Sequence, residues 1–598
     1  MNADPAATAR TGQGGWLALC LLAVLAYTLG LGGQYIPSNG DEMVYAHIAR
    51  LTAASQHWLP LVSELENMRN TKPPLLFWQA MVAGSWGQNW QLWVLRAPSL
   101  LYTLALAGAI GATLYRLTGE RRSALLGACI YLGFFCTFRY GRPYLTSAAE
   151  SFWLDLPVFW LLWQIAPAAD GRDRSPRPPQ WNGLHFALCG LALGIGSAYK
   201  SFALIAPAAA TLWLALLLVQ RPLRWSALLR STLGCSLSAA IALGIFSLWL
   251  VFDPDPRAVW REFVVGENAA KLADAQGYWQ AALHGGSSVW VQLLAYLQNA
   301  GLLAGVVLGL AWHGARSWRL RAGSATLPAH VQVLLVWLAL WLLVFTLPSQ
   351  RSARYVIPAM PALAMLLALY WERIARAWFG LSLLLAAVFI LVLGRIAWAA
   401  WELDISQPWQ LGAALLGAML AAAGVLAGLL RPAWTRACAL LACILVYLCF
   451  DLTVLPLDGP AGRFALTPAA SLHDTRIAVP NGFNGQFERF EFLLPGNRFT
   501  PYDVGARAAS RSEPAAADVP TQSPDPQLGR LLAQHDAVVW QQALPTQRRP
   551  PCLPGCVLLA ERWQLKGRHQ SGEIRLDNLW YPQDWLFRRE WLLARAGP

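Results

Sequence analysis

The chain has 598 residues, of which 56% are hydrophobic and 13% are charged. Soluble domains carry about 25% charged residues, so this composition excludes an ordinary soluble protein and predicts a polytopic membrane protein. The net charge of +13 and the 31 tryptophans fit that class, because basic residues collect in cytoplasmic loops and tryptophan collects at membrane interfaces. No nucleic-acid partner is needed to explain the basic balance.

Apolar runs along the chain predict about thirteen membrane-spanning helices, at about twenty residues per crossing. The first run lacks the features of a cleavable signal peptide, so we expect it to remain as a helix. The runs cover residues 16–33, 94–117, 123–138, 150–166, 183–199, 202–220, 226–252, 289–312, 329–347, 354–371, 377–398, 408–430 and 434–455.

The charges of the loops predict the orientation of these helices. If the N-terminus is cytoplasmic, every inside loop is basic, as the positive-inside rule requires, and most acidic residues lie outside. An odd number of spans then places the C-terminal tail outside as well. We therefore predict an all-α membrane domain at 1–456, with outer loops at 34–93 and 253–288, followed by a soluble α/β domain at 457–598.

The first outer loop contains paired carboxylates directly after the first apolar run. Asp41 and Glu42 begin a helical pattern that Ser38 or Asn39 could cap, with Tyr45 on its polar face. A carboxylate near a helix N-terminus is held in its ionised form, which suits a catalytic group. The alternative is an ordinary charge at the start of a helix.

The same loop continues into Thr71-Lys72-Pro73-Pro74 and then an apolar stretch. Two prolines favour an extended backbone at the lysine, so its ammonium group is presented rather than folded into a helix. This arrangement fits a lysine that binds the phosphate of a membrane lipid. In the alternative interpretation, the loop is merely stiff and Lys72 contacts lipid headgroups.

A further acid, Asp155, lies within the fourth apolar run, two residues before Pro157. An unpaired aspartate in hydrocarbon is costly, so we expect Asp155 to meet a cation such as Arg139 or Arg142. Glu150 competes for the same role.

Several basic residues on the outer side are exceptions to the positive-inside rule, which indicates a functional requirement for positive charge there. Arginine forks and lysine ammonium groups are the usual partners of phosphate, and a phosphate-bearing ligand is the simplest explanation. Each residue taken alone could instead extend to lipid headgroups. They are Arg50, Arg69, Lys72, Arg139, Arg142, Lys200, Arg351 and Arg354.

Two further segments could support such a site. Arg351 and Arg354, which precede Tyr355, could share one helix face or flank a turn. The second outer loop carries polar residues at helical spacing, where a solvated amphipathic helix is the alternative; they are Glu262, Glu267, Asn268 and Lys271.

Eight of the ten cysteines lie in apolar runs and read as small core residues. The other two, Cys552 and Cys556, flank a Pro-Gly turn in the tail, and the predicted compartment is oxidising. The spacing and the turn favour a disulfide between them. Two free thiols or a metal-binding pair are the alternatives.

Together these motifs resemble the GT-C membrane glycosyltransferases, and within them most closely the ArnT-like lipid A aminoarabinose transferases, which are relatives of the protein O-mannosyltransferases. The resemblance extends over the whole length. It rests on Asp41-Glu42 with Tyr45 and Ala-x-Ile-Ala-Arg at 46–50, Lys-Pro-Pro-Leu-x-x-Trp at 72–78, Leu-Asp at 154–155, Lys200, Gly-Glu-Asn at 266–268 and Arg-x-x-Arg-Tyr-x-x-Pro at 351–358.

The resemblance implies an undecaprenyl-phosphate-linked sugar donor and inverting transfer to lipid A at the periplasmic face of the bacterial inner membrane. It implies that Asp41 is the catalytic carboxylate, Lys72 a ligand of the donor phosphate and Asp155 a supporting acid. ArnT-like proteins often carry an acid before Lys-Pro-Pro that looks like a metal ligand, and here Thr71 takes that position. No cofactor is therefore assigned, although a divalent metal stays open.

Three alternatives remain. The sugar could be another aminohexose, the acceptor could be a protein, as in O-mannosylation, or the chain could be a lipid or sugar transporter. The transporter is disfavoured because the sequence shows no internal repeat and its charges collect on one face. No Gly-rich nucleotide fingerprint, HExxH pattern or zinc-type cysteine set occurs, which argues against a nucleotide-sugar transferase, a P-loop pump and a zinc protease.

Overall fold

The computed structural model describes residues 5–35, 40–166, 181–220, 224–271, 277–320, 327–466, 472–482, 485–504, 525–542, 547, 549–550, 555–567, 569 and 572–595. Among these residues, helices account for the regular structure up to Val454, and all strands follow residue 475. The predicted boundary at 457 falls in the short 3₁₀ helix Leu455–Asp458.

The membrane part is a bundle of helices that run in chain order from α1 to α20. They are α1 (Pro5–Thr28), α2 (Asp41–Ala54), α3 (Leu75–Ala83), α4 (Leu92–Thr118), α5 (Arg121–Gly133), α6 (Phe135–Gly141), α7 (Ser147–Ile165), α8 (Gly183–Lys200), α9 (Ile205–Val219), α10 (Trp225–Phe252), α11 (Pro256–Val259), α12 (Tyr278–Leu283), α13 (Val289–Leu293), α14 (Ala295–Ala300), α15 (Ala304–Leu320), α16 (Ala329–Thr346), α17 (Met360–Tyr370), α18 (Arg376–Glu402), α19 (Pro408–Leu430) and α20 (Thr435–Val454).

Within the described ranges, nine helical segments are long and apolar enough to cross a membrane, or ten if the bent pair α5 and α6 counts as one. The chain is therefore a multi-pass membrane protein, as its composition predicts. The predicted count of thirteen is not confirmed. Helix α1 contributes only a shorter apolar stretch, Gly14–Thr28, and α7 and α8 coincide with predicted runs without meeting the same criteria.

Two predicted spans are broken, and their breaks touch. Run 123–138 divides at Phe134, where α5 and α6 meet at 66°. Run 289–312 has an irregular turn at Gly301, between α14 and α15, where the positive φ of +60° is one that glycine tolerates best. A Cβ on Gly301 would lie 2.4 Å from the Cβ of Phe135, so only glycine lets the two breaks approach each other.

A buried ion pair ties three parts of the bundle together. Arg142, after α6, donates to both carboxylate oxygens of Asp451 in α20 at 3.0 Å, and to the carbonyl of Ala26 in α1 at 2.8 Å. Its guanidinium lies 3.9 Å from the ring centre of Phe138. Arg142 is therefore a structural residue of the bundle and is not available for the phosphate-binding role predicted from the sequence.

The C-terminal part is an α/β domain, as predicted. Its strands are β1 (Arg476–Asn481), β2 (Arg498–Asp503), β3 (Ala537–Gln541), β4 (Cys556–Leu565) and β5 (Phe587–Arg595), in the sheet order β2-β1-β3-β5-β4. Strand β1 is parallel to β2 and β3, whereas β5 is antiparallel to β3 and β4. The domain packs on the helical bundle, where Tyr35 donates to the carbonyl of Trp563 at 3.1 Å.

We expect Asp451→Asn to lower the midpoint of thermal unfolding of the detergent-solubilised protein strongly. It leaves Arg142 as a buried charge without its counter-ion, and breaking such a pair costs about 3–5 kcal/mol. The control is Glu372→Gln, which removes a half-exposed partner of Arg122 and should cost no more than about 1 kcal/mol. An Asp451→Asn protein as stable as wild type would contradict the structural role.

Cys556 is disulfide-bonded. Its expected partner, Cys552, lies outside the described residues, so the pairing stays a prediction. Alkylation of the denatured, unreduced protein should leave both tail cysteines unlabelled by peptide mass spectrometry, whereas reduction should expose both. In Cys552→Ser, Cys556 should label without reductant. Labelling of both cysteines in the unreduced wild type would exclude the bridge.

Candidate active site

The two adjacent carboxylates at the start of α2 have different surroundings. Glu42 is 1% exposed, and its oxygens accept hydrogen bonds from Arg96 at 2.7 and 2.9 Å and from the backbone N–H of Tyr144 at 2.8 Å. Asp41 is one-third exposed and accepts from Nη1 of Arg354 at 3.0 Å. Asp41 can therefore meet a ligand, whereas Glu42, also predicted to be catalytic, is engaged in fixing the helix.

The predicted cap of α2 differs from the one observed. Gly40 occupies the N-cap position, and no side chain caps the helix there. Ser38 and Asn39, the predicted capping residues, lie outside the described part of the chain.

Two arginines share one aromatic ring beside Asp41. The guanidinium carbon of Arg354 lies 4.9 Å from the ring centre of Tyr140, and that of Arg139 lies 5.6 Å from it. Cations are attracted to the face of an aromatic ring, so Tyr140 helps to hold two positive charges close together. The structure thus brings Arg139 and Arg354 to the same place as the predicted catalytic carboxylate.

Tyr45 lies one helical turn after Asp41 and is buried rather than on a polar face. Its ring packs edge-on against Phe77 and Tyr144, with centre distances of 6.1 and 6.4 Å. Burial, reinforced by Asp41, raises the pKa of the Tyr45 hydroxyl well above its ordinary value, although Arg354 opposes the shift. Tyr45 is therefore a neutral group that fills the floor of the site.

Lys72 lies above Tyr45, with its Nζ 6.0 Å from the ring centre. Nζ donates to the carbonyl of Thr71 at 2.7 Å and to Oε2 of Glu267 at 3.4 Å. Glu267 is the last residue but one of a π-helical segment, Trp260–Asn268, where the sequence left an amphipathic helix as the alternative. The first and second outer loops thus meet at Lys72.

A second lysine completes the cluster at the end of α8. Nζ of Lys200 donates to Oε1 of Glu150 at 2.7 Å and lies 5.9 Å from the ring centre of Tyr355. The hydroxyl of the next residue, Ser201, donates to Asn268 at 2.6 Å. The second outer loop is thereby fastened to α8 as well as to Lys72.

Asp155 is buried, and neither of its carboxylate oxygens has a hydrogen-bond partner in the described ranges. The expected pairing with Arg139 or Arg142 is wrong. Asp155 lies five residues after Glu150 on α7, about 7.5 Å further into the bundle, whereas Arg142 pairs with Asp451. The structure therefore does not give Asp155 a direct contact with the cation cluster.

Three other predicted phosphate ligands are engaged elsewhere. Arg351 is 3% exposed and donates to three backbone carbonyls, which include that of Thr346 at the end of α16. Carbonyls at a helix C-terminus lack helical partners, and an arginine satisfies them. Arg69 lies 3.9 Å from Asp253, and Arg50 pairs with Glu488 of the C-terminal domain.

A cavity of about 820 Å³ begins beside Asp41, because Gly40, Glu42 and Met43 belong to its lining. Arg139 is also part of the lining and connects the cavity to the cation cluster. Its inner wall is apolar and contains Phe135 and Gly301 at the two helix breaks, Leu385, Phe389 and Leu393 of α18, and Val446 and Phe450 of α20.

The polar end of the cavity is lined by the C-terminal domain and by Tyr35, whose hydroxyl lies 3.3 Å from Nη1 of Arg562. Gln486, Arg489, Arg562 and Lys566 line it, and the sequence analysis missed all four. Strand β4 gave a signal for Arg562, because this charged residue occupies the same face as the buried Ala560. A charge on an inward face of a strand indicates a partner or a ligand.

Glu590 holds two of these arginines. Its carboxylate accepts from Nε of Arg562 at 2.7 Å, from Arg489 and from Gln541 at 2.8 Å. Burial raises the pKa of Glu590, but Arg489 and Arg562 outweigh burial and hold that pKa below its ordinary value. One carboxylate serves two guanidinium groups, so this end of the cavity keeps a net positive charge.

The donor set beside Asp41 does not fit a metal site. No group of three His, Cys, Asp or Glu side chains that could hold a metal ion occurs among the residues described. Thr71 stands where the resemblance implies an acid, and Asp41 faces Arg354 rather than a second carboxylate. We therefore derive no step through a metal.

Comparison with known proteins shows similarity to aminoarabinose transferases. No protein-family model matches the chain. It is 28% identical over 382 residues to an undecaprenyl phosphate-alpha-4-amino-4-deoxy-L-arabinose arabinosyl transferase of Sodalis glossinidius, covering 61% of this chain and 60% of that relative. Relatives of the same name from Edwardsiella ictaluri and Serratia proteamaculans are 28% and 26% identical, over 68% and 73% of this chain and 68% and 76% of their own lengths.

The structural similarity covers nearly the whole molecule. ArnT from Cupriavidus metallidurans bound to undecaprenyl phosphate superposes with a TM-score of 0.57, at 17% identity, over 98% of this chain and 99% of that one. The chain has the GT-C fold of ArnT. The apo structure of the same ArnT matches with a TM-score of 0.55, again over 98% of this chain and 99% of that one. The likeness therefore includes the C-terminal domain as well as the helical bundle.

We expect Glu42→Gln to destabilise the protein much more than Asp41→Asn, because Glu42 fixes α2 whereas Asp41 is partly exposed and can contact a ligand. Glu42→Gln leaves Arg96 buried without a full counter-charge, and we expect a loss of about 3–5 kcal/mol in stability. Asp41→Asn removes a partly exposed pair and should cost no more than about 1 kcal/mol. Thermal unfolding of both variants in the same detergent tests this, and equal midpoints would contradict the distinction.

Proposed function

We propose that this chain is an inverting glycosyltransferase that moves the sugar 4-amino-4-deoxy-L-arabinose from undecaprenyl phosphate to a phosphate group of lipid A. The observation that carries the proposal is the cluster in which Asp41 pairs with Arg354, with Arg139 and Lys72 close by, beside a large amphipathic cavity that Arg139 also lines. The names of the relatives support the donor and the sugar.

The donor phosphate belongs with the cations of the cluster. Lys72 and Lys200 are held by carboxylates of the outer loop and of α7, and each lies about 6 Å from the ring of a tyrosine in the site. Such partly buried ammonium groups stabilise the negative charge that develops on a phosphate leaving group. The similarity to ArnT bound to undecaprenyl phosphate supports a polyprenyl phosphate as the carrier of the donor sugar.

The acceptor belongs in the cavity. Its apolar wall of leucine and phenylalanine side chains suits acyl chains, and Arg489, Arg562 and Lys566 at its polar end suit phosphate groups. An anionic lipid with several acyl chains has both properties. A protein acceptor would need an open groove for extended backbone, whereas most of this cavity wall is apolar.

The chemistry is a single displacement at the anomeric carbon of the sugar. An oxygen of the acceptor phosphate forms the new bond, the bond to the donor phosphate breaks, and its electron pair remains on undecaprenyl phosphate, next to the lysines. A phosphate monoester is already ionised near neutral pH, so no general base is needed. Asp41 instead holds Arg354 in place and stabilises positive charge that develops on the sugar ring.

We place the chain in the bacterial inner membrane, with the N-terminus in the cytoplasm and the active site and C-terminal domain in the periplasm. The basic inside loops support this orientation. The contact of α2 with the C-terminal domain puts the cluster and that domain on the same side. The disulfide at Cys556 fits an oxidising compartment.

Mass spectrometry of lipid A tests the proposal most directly. Cells that express the chain should carry lipid A with an added aminopentose mass, and cells without it should not. Asp41→Asn should lower the modification roughly 100-fold or more, comparable to the loss of one preorganised electrostatic group, at unchanged protein level. The matched control is Asp404→Asn, an exposed acid elsewhere on the bundle.

Two outcomes would redirect the assignment. A different added mass on lipid A would retain the transfer and change the sugar. Radiolabel from the lipid-linked donor that appears in protein, with none in extracted lipid A, would replace the proposal by protein glycosylation.

A further inference from the structure

A buried charge network fastens the far side of α2 to the C-terminal domain, and the proposed reaction does not use it. Glu488 is fully buried in the short 3₁₀ helix Gln486–Glu488. Its two oxygens accept from Nε and Nη2 of Arg50, the latter at 2.9 Å, and its Oε2 lies 2.9 Å from Nδ1 of His47. Glu491 is a second partner of Arg50, at 3.0 Å.

The hydrogen bonds of His47 determine which of its nitrogens carries a proton. Its Nε2 accepts the backbone N–H of Glu64 at 3.2 Å, so that nitrogen has no proton. Nδ1 must therefore be the N–H that donates to Glu488. The ring also stands edge-on to Phe487, at 5.2 Å between centres. His47 thus connects α2, the first outer loop and the C-terminal domain.

The register of α2 relates this network to the active site. Asp41, Tyr45 and Ile48 share one face of the helix, at steps of four and three residues, while His47 and Arg50 lie on the opposite side. Contacts on one side of a helix fix its rotation about its own axis. A rotation of about 20° moves a group roughly 5–6 Å from the axis by roughly 2 Å.

We propose that Glu488 is a positioning residue of the transfer reaction. The Glu42–Arg96 pair fixes the start of α2, and Glu488, acting through His47 and Arg50 on the opposite side, fixes the rotation of the rest of the helix and so holds the Asp41 carboxylate against Arg354. Its chain neighbours Gln486 and Arg489 line the cavity, so the segment that positions Asp41 is also the segment that an acceptor contacts. The inference rests on the proposed function, because it concerns the geometry of that reaction.

Steady-state kinetics of the purified full chain test the role of Glu488. Glu488→Gln keeps the shape but loses the charge, and we expect turnover to fall roughly 10- to 100-fold, as misplacement by about 1 Å produces. The KM for the lipid-linked donor should stay within about twofold, because Lys72 and Lys200 do not lie on α2. Lys72→Ala is the contrast and should raise that KM. Glu491→Gln, which changes a partner of Arg50 that does not touch His47, is the matched control and should leave turnover near wild type.

Two substitutions of His47 separate positioning from loop anchoring. Asparagine can present an N–H near the place of Nδ1, so His47→Asn should keep the bond to Glu488 and retain most of the turnover. Glutamine reaches the place of Nε2 and keeps only the bond to Glu64, so His47→Gln should lose turnover as Glu488→Gln does. The reverse order, or equal turnover in the two variants, would overturn the proposal. If Glu488→Gln does not fold, the comparison of His47→Asn with His47→Gln still tests the proposal.

Hydrogen exchange of the α2 amides gives a readout that needs no activity. Residues 41–50 should exchange faster in Glu488→Gln and His47→Gln than in wild type or Glu491→Gln. Unchanged exchange, or wild-type turnover in Glu488→Gln, would contradict the positioning role whatever the reaction. A wild-type chain that transfers no sugar would instead contradict the proposed function, even if the exchange of α2 responds to Glu488.

Discussion

The buried pair of Glu42 and Arg96 is the interaction on which the active site depends. Arg96 also donates to the carbonyls of Leu31 and Gly33, in the segment that follows α1, while Glu42 accepts the N–H of Tyr144. Four parts of the chain therefore converge on one ion pair. Because a buried charge is tolerated only when its partners are in place, this pair determines where α2 begins and hence which carboxylate faces the ligand.

The division of labour between Asp41 and Glu42 shows what a sequence can and cannot reveal. Their position after an apolar run marks both as unusual, and the resemblance to GT-C transferases selects Asp41. Nothing local distinguishes a carboxylate that meets an arginine 54 residues away in the core from one that meets Arg354 beside a cavity. Arg142 and Arg351 were misjudged for the same reason, since their partners are fixed only by packing.

The membrane-spanning class could be predicted, because apolar runs report which segments enter the membrane, but the count of thirteen spans is not confirmed among the described residues. The breaks at Phe134 and Gly301 could not, because hydropathy averages over a window and is insensitive to one residue of altered backbone. These breaks matter more than the helices for the site, since they adjoin the cavity. The C-terminal domain was predicted as a separate unit, but its contribution of cavity residues depends on how it packs against the bundle.

Helix α18 lines the cavity with apolar side chains at regular intervals. Leu385, Phe389 and Leu393 follow one another at four-residue steps, so adjacent side chains are separated by about 6 Å along the helix. A hydrocarbon tail that lies along this wall passes one of these side chains at each helical turn. The size of each side chain therefore decides how far the tail extends. Under the proposed function, acyl-chain length would be selected by α18, a different element from the one that carries Asp41. One lipid acceptor could then be exchanged for another without altering the groups proposed to transfer the sugar.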